Sequence, residues 1–281
     1  MKIGIIGHGF VGKALQNGIV NTDSLTIIDP KLGNKIKDLK IIEPDIIFIC
    51  VPTPMHKDNS QNIDIVLDVI SDIKKLSLKS VVVLKSTVLP NHIIEIENQI
   101  ENFVYNPEFL REDFADEDFV NSNLILFGGS KKNCKFVSNF YINNTKCINT
   151  DHVFTDSISA SLVKYSINSF LSTKVMFFNE LYELFQKSGT DENWKNFIKA
   201  LSKDERIGSS HMQVPGPDGR FGFGGACLPK DSSAFLGYSN EMQSQLEILS
   251  KVIELNNAIR SEYVNKTNRE IEQNINFDKK K

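Results

Sequence analysis

The 281-residue sequence carries 32 Lys and Arg against 35 Asp and Glu, and hydrophobic residues make up 41% of it. A formal net charge of −3 offers no polycationic surface, which argues against nucleic acid as a partner. No apolar run approaches the roughly 18 residues that span a bilayer, so we expect no membrane association and a cytoplasmic protein. Four cysteines without metal-ligand spacing predict neither a disulfide framework nor a metal site.

The N-terminal segment has the order strand, glycine turn and helix. An isoleucine-rich run at residues 2–6 leads into Gly7, Gly9 and Gly12, and a helical pattern follows to residue 20. In this context G-x-G-x-x-G predicts a dinucleotide site, because glycine lets backbone approach a pyrophosphate at a helix N-terminus. Asp29 ends the next predicted strand, residues 25–28, where its carboxylate suits the ribose hydroxyls of NAD and disfavours the 2′-phosphate of NADP.

Buried strands alternate with helices through the first half of the chain. We predict strands at 45–51, 80–84, 124–127 and 146–148, and helices at 64–76 and 90–100. This alternation predicts an α/β, Rossmann-like, doubly wound parallel sheet in a first domain, residues 1–150. Gly9, Thr53 and Thr87 all follow strands, so we expect them at the sheet edge where ligands bind.

The loop after the predicted helix 90–100 carries opposed charges. Glu108, Arg111 and Glu112 lie close together in it, and the two glutamates share a face if the segment is helical. Solvent-exposed charges are the simpler interpretation, and a ligand contact is the other.

The second half of the chain is helical, and we assign residues 151–281 to a helical central domain for substrate and dimerisation. A long helix is predicted at 154–188, on which Lys164 and Asn168 project together, and a short one at 191–201. A final helix is predicted at about 243–273. Its length suggests a homodimer interface.

An unusual cysteine stretch, FGFGGACLPKD, occupies residues 221–231. Its glycines leave room for a ligand beside Cys227, Lys230 can favour the thiolate, and Asp231 can position the lysine or a water. The combination predicts an active-site loop rather than a buried structural cysteine.

Six motifs in this order resemble the UDP-glucose/GDP-mannose dehydrogenase family: GHGFVG, VPTP, LKSTVLP, NPEFLRE, LVKYSINSF with FFNEL, and FGFGGACLPKD. The resemblance runs from residue 1 to about residue 257. It implies a nucleotide-sugar 6-dehydrogenase that makes a uronate by two successive NAD-dependent oxidations.

The resemblance also implies a role for each matching residue. Cys227 would capture the aldehyde and become a thioester; Lys164, Asn168 and a water held by Asp231 and bordered by Thr87 would assist the developing alkoxide. Glu108 and Glu112 would serve thioester hydrolysis and ligand positioning. Cofactor contacts are implied for Gly7, Gly9, Phe10, Val11, Gly12, Asp29, Val51, Pro52, Thr53, Thr87, Glu112 and Lys230. Substrate contacts are implied for Glu108, Phe109, Leu110, Arg111, Lys164, Asn168, Arg206, Phe221 and Gly224.

The sequence departs from the family pattern in two places. The segment between Asp29 and Val51 is short, so a helical excursion is expected to be missing. The family's third, nucleotide-binding domain is also expected to be missing after the final helix, which leaves recognition of the nucleotide to another element or partner.

Two other functions remain open on the sequence. One is a two-electron hydroxyacid-type dehydrogenase, which needs no cysteine nucleophile and yields one NADH per product. The other is a non-catalytic NAD-binding partner subunit, for which Cys227, Lys164, Asn168 and Asp231 would have no evident use.

Overall fold

A computed structural model describes residues 1–277 of the chain. It divides into two units, one of Met1–Thr53 with Asn62–Lys164 and one of Pro54–Gln61 with Tyr165–Lys281. The boundary falls inside one long helix, between Lys164 and Tyr165.

The first unit contains one seven-stranded sheet. Its strands, β1 to β7 in chain order, are Lys2–Ile6, Ser24–Ile28, Ile46–Ile49, Val81–Leu84, Phe103–Tyr105, Leu126–Gly129 and Val153–Thr155. They pair in the order β2-β1-β3-β4-β5-β6-β7. All neighbours are parallel except β5 and β6, which are antiparallel. The order 2-1-3-4-5 is that of a doubly wound sheet, in which a ligand crevice is expected between β1 and β3, where the chain connections leave toward opposite faces of the sheet.

Helices cover both faces of this sheet. In the first unit they are, from α1 to α6, Phe10–Gly18, Leu39–Ile42, Asp64–Leu76, Pro90–Glu97, Ala115–Val120 and Lys131–Asn144. Alternate residues of β3 point to opposite faces: Ile47 packs with α3 and α4, whereas Phe48 packs with α1, α5 and α6. Both faces of the strand are therefore buried, which is why its sequence is continuously apolar.

The second unit is helical. The long helix α7, Ser157–Lys187, enters it from the first unit, and α8 to α11 follow at Trp194–Leu201, Leu228–Glu241, Glu247–Arg260 and Asn268–Glu272. Trp194 packs on Phe178 and Phe185 of α7. A second apolar cluster joins α7 to α10 through Met176, Phe223 and Val252.

The Rossmann-like fold with a long central helix is confirmed, and four predicted elements are corrected. The sheet is mixed, because β6 runs antiparallel to β5. Residues 146–148 form no strand, since the amides of Lys146 and Ile148 donate to carbonyls of Gly18 and Val120 instead, and the strand lies at Val153–Thr155. Because Phe154 belongs to that strand, the long helix begins three residues later, at Ser157.

The final helix predicted at 243–273 is also wrong. α10 spans only Glu247–Arg260, and α11 starts separately at Asn268. The restart has a local cause: Thr267 and Glu270 form a reciprocal capping box, which favours a helix N-terminus there.

The core of the sheet generates a stability prediction. Ile47 is fully buried, whereas Ile41 of α2 is 85% exposed. We expect Ile47→Ala to lower the free energy of unfolding by about 2–5 kcal/mol, and Ile41→Ala to change it by less than about 0.5 kcal/mol. Urea unfolding of both variants measures the difference, and equal losses would contradict the assigned core.

Candidate functional site

The glycine turn between β1 and α1 is shaped by close backbone approach. Gly7 has a φ of +95°, and a Cβ there would lie 2.6 Å from the Cys50 carbonyl oxygen. A Cβ on Gly12 would lie 2.1 Å from the Gly7 carbonyl oxygen. Gly9 differs, because no atom lies within 4 Å of its ideal Cβ position. Gly7 and Gly12 are therefore required by the fold itself, whereas Gly9 leaves open space at the helix N-terminus.

Asp29 lies at the carboxyl end of β2, beside this turn. Its Oδ2 accepts a hydrogen bond from the His8 amide at 2.8 Å, and its Oδ1 accepts one from the Lys31 amide at 2.9 Å. Partial burial opposes ionisation, but these two hydrogen bonds outweigh it and lower the pKa of Asp29. The carboxylate is thus ionised at neutral pH and fastened to the turn.

The ends of β3 and β4 are joined side by side. The Thr53 hydroxyl donates to the Thr87 carbonyl at 3.0 Å, and the Ser86 hydroxyl donates to the Val51 carbonyl at 2.7 Å. The structure therefore brings together the two threonines that were expected to share a sheet edge. The open helix N-terminus at Gly9 and the ionised Asp29 fit the pyrophosphate and ribose of NAD.

In the loop after β5, the charged residues have different environments. Glu108 is 8% exposed, and its Oε2 accepts from the Leu110 amide at 2.6 Å. Glu112 is exposed at the start of a 3-10 turn, and Arg111 forms an exposed ion pair with Asp118 at 2.6 Å. Arg111 and Glu112 are thus exposed to solvent, whereas Glu108 is buried. The two glutamates do not share a helix face, because residue 108 is not helical.

Lys164 of α7 contacts this buried glutamate. Its Nζ donates to the Glu108 carbonyl oxygen at 2.5 Å and lies 3.5 Å from Oε1. Lys164 is 3% exposed, and its ammonium lies 5.1 Å from the centre of the Phe109 ring. The first unit thus brings a predicted catalytic lysine and a predicted catalytic carboxylate into one buried pair.

A second buried lysine, which the sequence analysis did not single out, fixes the start of this loop. Lys85 Nζ donates to Asn106 Oδ1 at 2.9 Å and to the Tyr141 hydroxyl at 3.2 Å. The Tyr141 hydroxyl in turn donates to Asn106 Oδ1 at 2.6 Å. Burial lowers the pKa of Lys85. Lys85 and Asn106 lie inside the quoted motifs, but no sequence signal identifies Tyr141 as their partner.

The second unit gathers three more predicted residues around the first turn of α9, one from α7 and two from α9 itself. Asn168 Nδ2 donates to Asp231 Oδ2 at 2.6 Å, and Lys230 Nζ pairs with Asp231 Oδ1 at 2.5 Å. Asn168, Lys230 and Asp231 are all at least nine-tenths buried. Lys164 and Asn168 lie four residues apart on α7, so they project from the same side of that helix.

Cys227 is the N-cap residue of α9, and its carbonyl accepts the Asp231 amide at 2.9 Å. Cys227 is partly exposed as a residue. Amide groups at a helix N-terminus favour a thiolate. Burial disfavours the thiolate form of the other three cysteines. It raises the pKa of Cys50 to about 12 and that of Cys134 to about 11, and it raises the pKa of Cys147 as well.

The remaining predicted substrate residues lie elsewhere in the second unit. Arg206 lies in an exposed turn and forms two hydrogen bonds with Asp204, at 2.9 and 2.5 Å. Phe221 is 38% exposed, and Gly224 lies where a Cβ would collide with Arg260. The structure thus groups Asn168, Lys230 and Asp231 with the cysteine turn and pairs Arg206 with its own neighbour.

Two family models match the chain. The NAD binding domain of the UDP-glucose/GDP-mannose dehydrogenase family matches residues 31–144, and the central domain of that family matches residues 158–258. UDP-glucose 6-dehydrogenase from Rickettsia conorii (strain ATCC VR-613 / Malish 7) is 30% identical in an alignment 308 residues long, which covers 95% of this chain and 69% of that protein. The chain belongs to the UDP-glucose/GDP-mannose dehydrogenase family. The predicted family and the predicted cofactor, NAD, are thereby confirmed.

Relatives within the family are longer than this chain. UDP-glucose 6-dehydrogenase from Rickettsia bellii (strain RML369-C) is 34% identical over 219 residues, which cover 75% of this chain and 49% of that protein. The chain thus spans about half to about two thirds of the length of these two curated relatives.

Solved structures share the fold. A UDP-glucose dehydrogenase from the hyperthermophilic archaeon Pyrobaculum islandicum has a TM-score of 0.77 and 24% identity, covering 92% of this chain and 68% of its own. Mycobacterium tuberculosis 3-hydroxyisobutyrate dehydrogenase has a TM-score of 0.72 and 13% identity, covering 92% of this chain and 94% of its own. At these identities the likeness shows the fold alone. Within residues 1–277, no helix has the length and apolar character needed to cross a membrane.

We expect alanine substitutions at two glycines of this turn to affect different properties, NAD binding at Gly9 and stability at Gly12. In this family member, Gly9→Ala should leave the free energy of unfolding within about 0.5 kcal/mol of the parent and weaken NAD binding about tenfold or more, because only the ligand would meet the new methyl group. Gly12→Ala should instead lower stability by about 1–3 kcal/mol, because its methyl group meets backbone. Calorimetric NAD titration and urea unfolding measure both quantities; a Gly9→Ala protein that binds NAD as the parent does would contradict this role.

Proposed function

We propose that this chain is an NAD-dependent dehydrogenase that oxidises the C6 alcohol of a nucleotide sugar to the uronate, in two steps, through a thioester on Cys227. The observation that carries the proposal is the buried hydrogen bond between Asn168 and Asp231, at 2.6 Å, on the helix turn that Cys227 begins. The Asn168 amide can stabilise an alkoxide, and the Asp231 carboxylate can hold a water. The hydrogen bond between them places both groups at the helix turn that begins with the nucleophile, Cys227.

The first oxidation converts the alcohol to an aldehyde. The C6 hydroxyl loses its proton to a water held by Asp231. Negative charge then develops on the C6 oxygen, where the Lys164 ammonium and the Asn168 amide can stabilise it. Thr87 borders this water in the proposal. When bound, NAD accepts one hydride from C6 in each of the two oxidations.

The second oxidation needs a tetrahedral carbon that still carries hydrogen. Attack of the Cys227 thiolate on the aldehyde carbon forms a C–S bond, and protonation of the oxygen gives a thiohemiacetal. Loss of the remaining C6 hydride and of that proton leaves a thioester. The position of Cys227 at the N-terminus of α9 supports this role, because the thiolate is the reactive form.

Water then hydrolyses the thioester, releasing the carboxylate and returning the thiol. We assign to Glu108 the role of base for that water, because it is a buried carboxylate whose Oε1 lies 3.5 Å from the Lys164 ammonium. For Glu112, which is exposed, we propose cofactor or substrate positioning. One alcohol, two NAD⁺ and one water thus give one carboxylate, two NADH and three protons.

The substrate class rests on the relatives. Those named UDP-glucose 6-dehydrogenase make UDP-glucose the first compound to test. We propose that Phe109, Leu110, Arg111, Arg206, Phe221 and Gly224 contribute to its binding, together with Lys164 and Asn168. We likewise propose cofactor contacts by Phe10, Val11, Val51, Pro52 and Lys230.

A hydroxyacid-type dehydrogenase remains the second candidate. The fold is compatible with it, since the likeness to 3-hydroxyisobutyrate dehydrogenase covers 94% of that chain, but fold alone does not decide between the two candidates. The two candidates differ in the number of electrons transferred, and a non-catalytic NAD-binding subunit would transfer none.

Counting NADH tests the proposal. With UDP-glucose and related nucleotide sugars, we expect two NADH per acid formed by the parent protein. Cys227→Ser should lower the rate of acid formation by at least about 10³-fold, because an alkoxide is far less available than a thiolate at neutral pH. Glu43→Gln, at an exposed position, serves as the control. One NADH per product, or acid formed by Cys227→Ser at the parental rate, would rule out the thioester route.

For the partner we propose a second copy of the chain, but through α7 rather than the predicted helix 243–273. Phe170, Phe177 and Leu184 are 66%, 58% and 63% exposed and recur every seven residues on α7. A seven-residue apolar repeat suits antiparallel packing of two equal helices about a two-fold axis.

Removal of this apolar stripe should separate the two copies. We expect the parent to sediment as a dimer at micromolar concentration and Phe170→Ser/Phe177→Ser to sediment as a monomer. Phe154→Ser, at an exposed phenylalanine of β7, should remain a dimer. A monomeric parent, or a dimeric double variant, would overturn the α7 interface.

A further inference from the structure

The loop that precedes Cys227 is held by side chains rather than by secondary structure. The structure assigns neither helix nor strand to residues 221–226. Yet backbone groups of the loop have side-chain partners from α7, α10, α11 and the turn between α10 and α11, which we call the loop frame: Asn179, Asn256, Arg260, Tyr263 and Glu270.

The contacts of the loop frame follow the loop residue by residue. The amides of Phe221, Gly222 and Phe223 donate to the Tyr263 hydroxyl at 2.9 Å, Asn179 Oδ1 at 2.9 Å and Asn256 Oδ1 at 2.6 Å, respectively. Asn256 Nδ2 also donates to the Phe223 carbonyl at 3.1 Å, so this one side chain closes both ends of residue 223. The Gly225 amide donates to Glu270 Oε1 at 3.4 Å.

The glycines let the frame approach this closely. A Cβ on Gly222 would lie 2.5 Å from Asn256 Oδ1, and a Cβ on Gly224 would lie 1.6 Å from Arg260 Nη2. Glycine is also the most flexible residue, so a loop with three of them has no intrinsic reason to keep one conformation. Hydrogen bonds between the loop frame and the loop backbone favour the one conformation observed.

A buried ion pair lies at the centre of the frame. Arg260 is 2% exposed and Glu270 fully buried, and Arg260 Nη2 lies 2.7 Å from Glu270 Oε1 and 2.7 Å from Asp218 Oδ2. Burial opposes ionisation of Glu270, but a hydrogen bond from the Thr267 amide and the Arg260 guanidinium lower its pKa. Apolar residues of similar size often stabilise a fold as well as such a pair does, whereas loss of one partner leaves an uncompensated buried charge.

We propose that Arg260 and Glu270, together with Asn256, are positioning residues for Cys227: they act through the backbone of residues 221–225 to hold the thiol at the N-terminus of α9. This inference rests on the proposed function of Cys227. Capture of an aldehyde by a thiol needs the reacting atoms aligned to a fraction of an ångström, and a free glycine loop cannot provide that alignment.

The test compares two glutamates of the same short helix. Glu270→Gln keeps the size of the side chain and removes the charge that Arg260 faces, whereas Glu272→Gln alters an exposed residue that pairs with Arg269. For Glu270→Gln we expect kcat for acid formation to fall about tenfold or more, with KM for NAD within about twofold of the parent. Glu272→Gln should match the parent in both.

Alkylation of the thiol gives a readout that needs no substrate. The rate of carbamidomethylation of Cys227 by iodoacetamide, followed by peptide mass spectrometry, should fall at least about threefold in Glu270→Gln, because the thiolate leaves the helix N-terminus. Cys147, which is remote in sequence and whose thiolate form is disfavoured by burial, is the internal control, and its alkylation rate should be unchanged. Should Cys227 prove dispensable for acid formation, this comparison would still decide whether the frame positions it.

A milder variant guards against misfolding. Tyr263→Phe keeps the ring and removes only the hydroxyl that accepts the Phe221 amide. If Glu270→Gln does not fold, a slower Cys227 alkylation in folded Tyr263→Phe supports the proposal. Parental alkylation and kcat in every folded frame variant overturn it.

Discussion

The constraint on which the rest of this structure depends is the buried first turn of α9. Asp231 accepts a hydrogen bond from Asn168 on one oxygen and from Lys230 on the other, so two side chains share one buried carboxylate. A buried carboxylate is tolerable only when its charge and lone pairs are satisfied, so each of the three residues fixes the other two. Cys227 begins this same turn and its carbonyl accepts the Asp231 amide, so the turn fixes the chain after the cysteine, whereas the loop frame holds the chain before it.

The two units contribute chemistry of different kinds. In the first, the carboxyl ends of parallel strands present backbone groups, an ionised Asp29 and linked threonines, all of which suit a dinucleotide. The buried pair of Lys164 and Glu108 adds an acid and a base beyond that requirement. In the second unit, helices present side chains. The amide, carboxylate and thiol come from α7 and α9, which is why no single sheet edge contains the whole set.

The sequence predicted those features that depend on neighbours along the chain. The turn at Gly7, the strands before Asp29 and Cys50, and helix α3 all follow from periodicity and turn residues. Features that depend on distant partners were missed. No pattern in the sequence singles out Tyr141 or Arg260, although each completes a buried polar network. The break between α10 and α11 was a missed local signal, since Thr267 and Glu270 have capping-box spacing.

Direct detection of the acyl enzyme tests the central claim most sharply. Glu108→Gln removes the proposed base for hydrolysis, so a protein quenched seconds after mixing with NAD and UDP-glucose should carry the uronyl group on the Cys227 peptide, as seen by mass spectrometry. Addition of Cys227→Ala to that variant should abolish the adduct. Acid production with no covalent intermediate on Cys227, in the parent and in Glu108→Gln alike, would contradict the account.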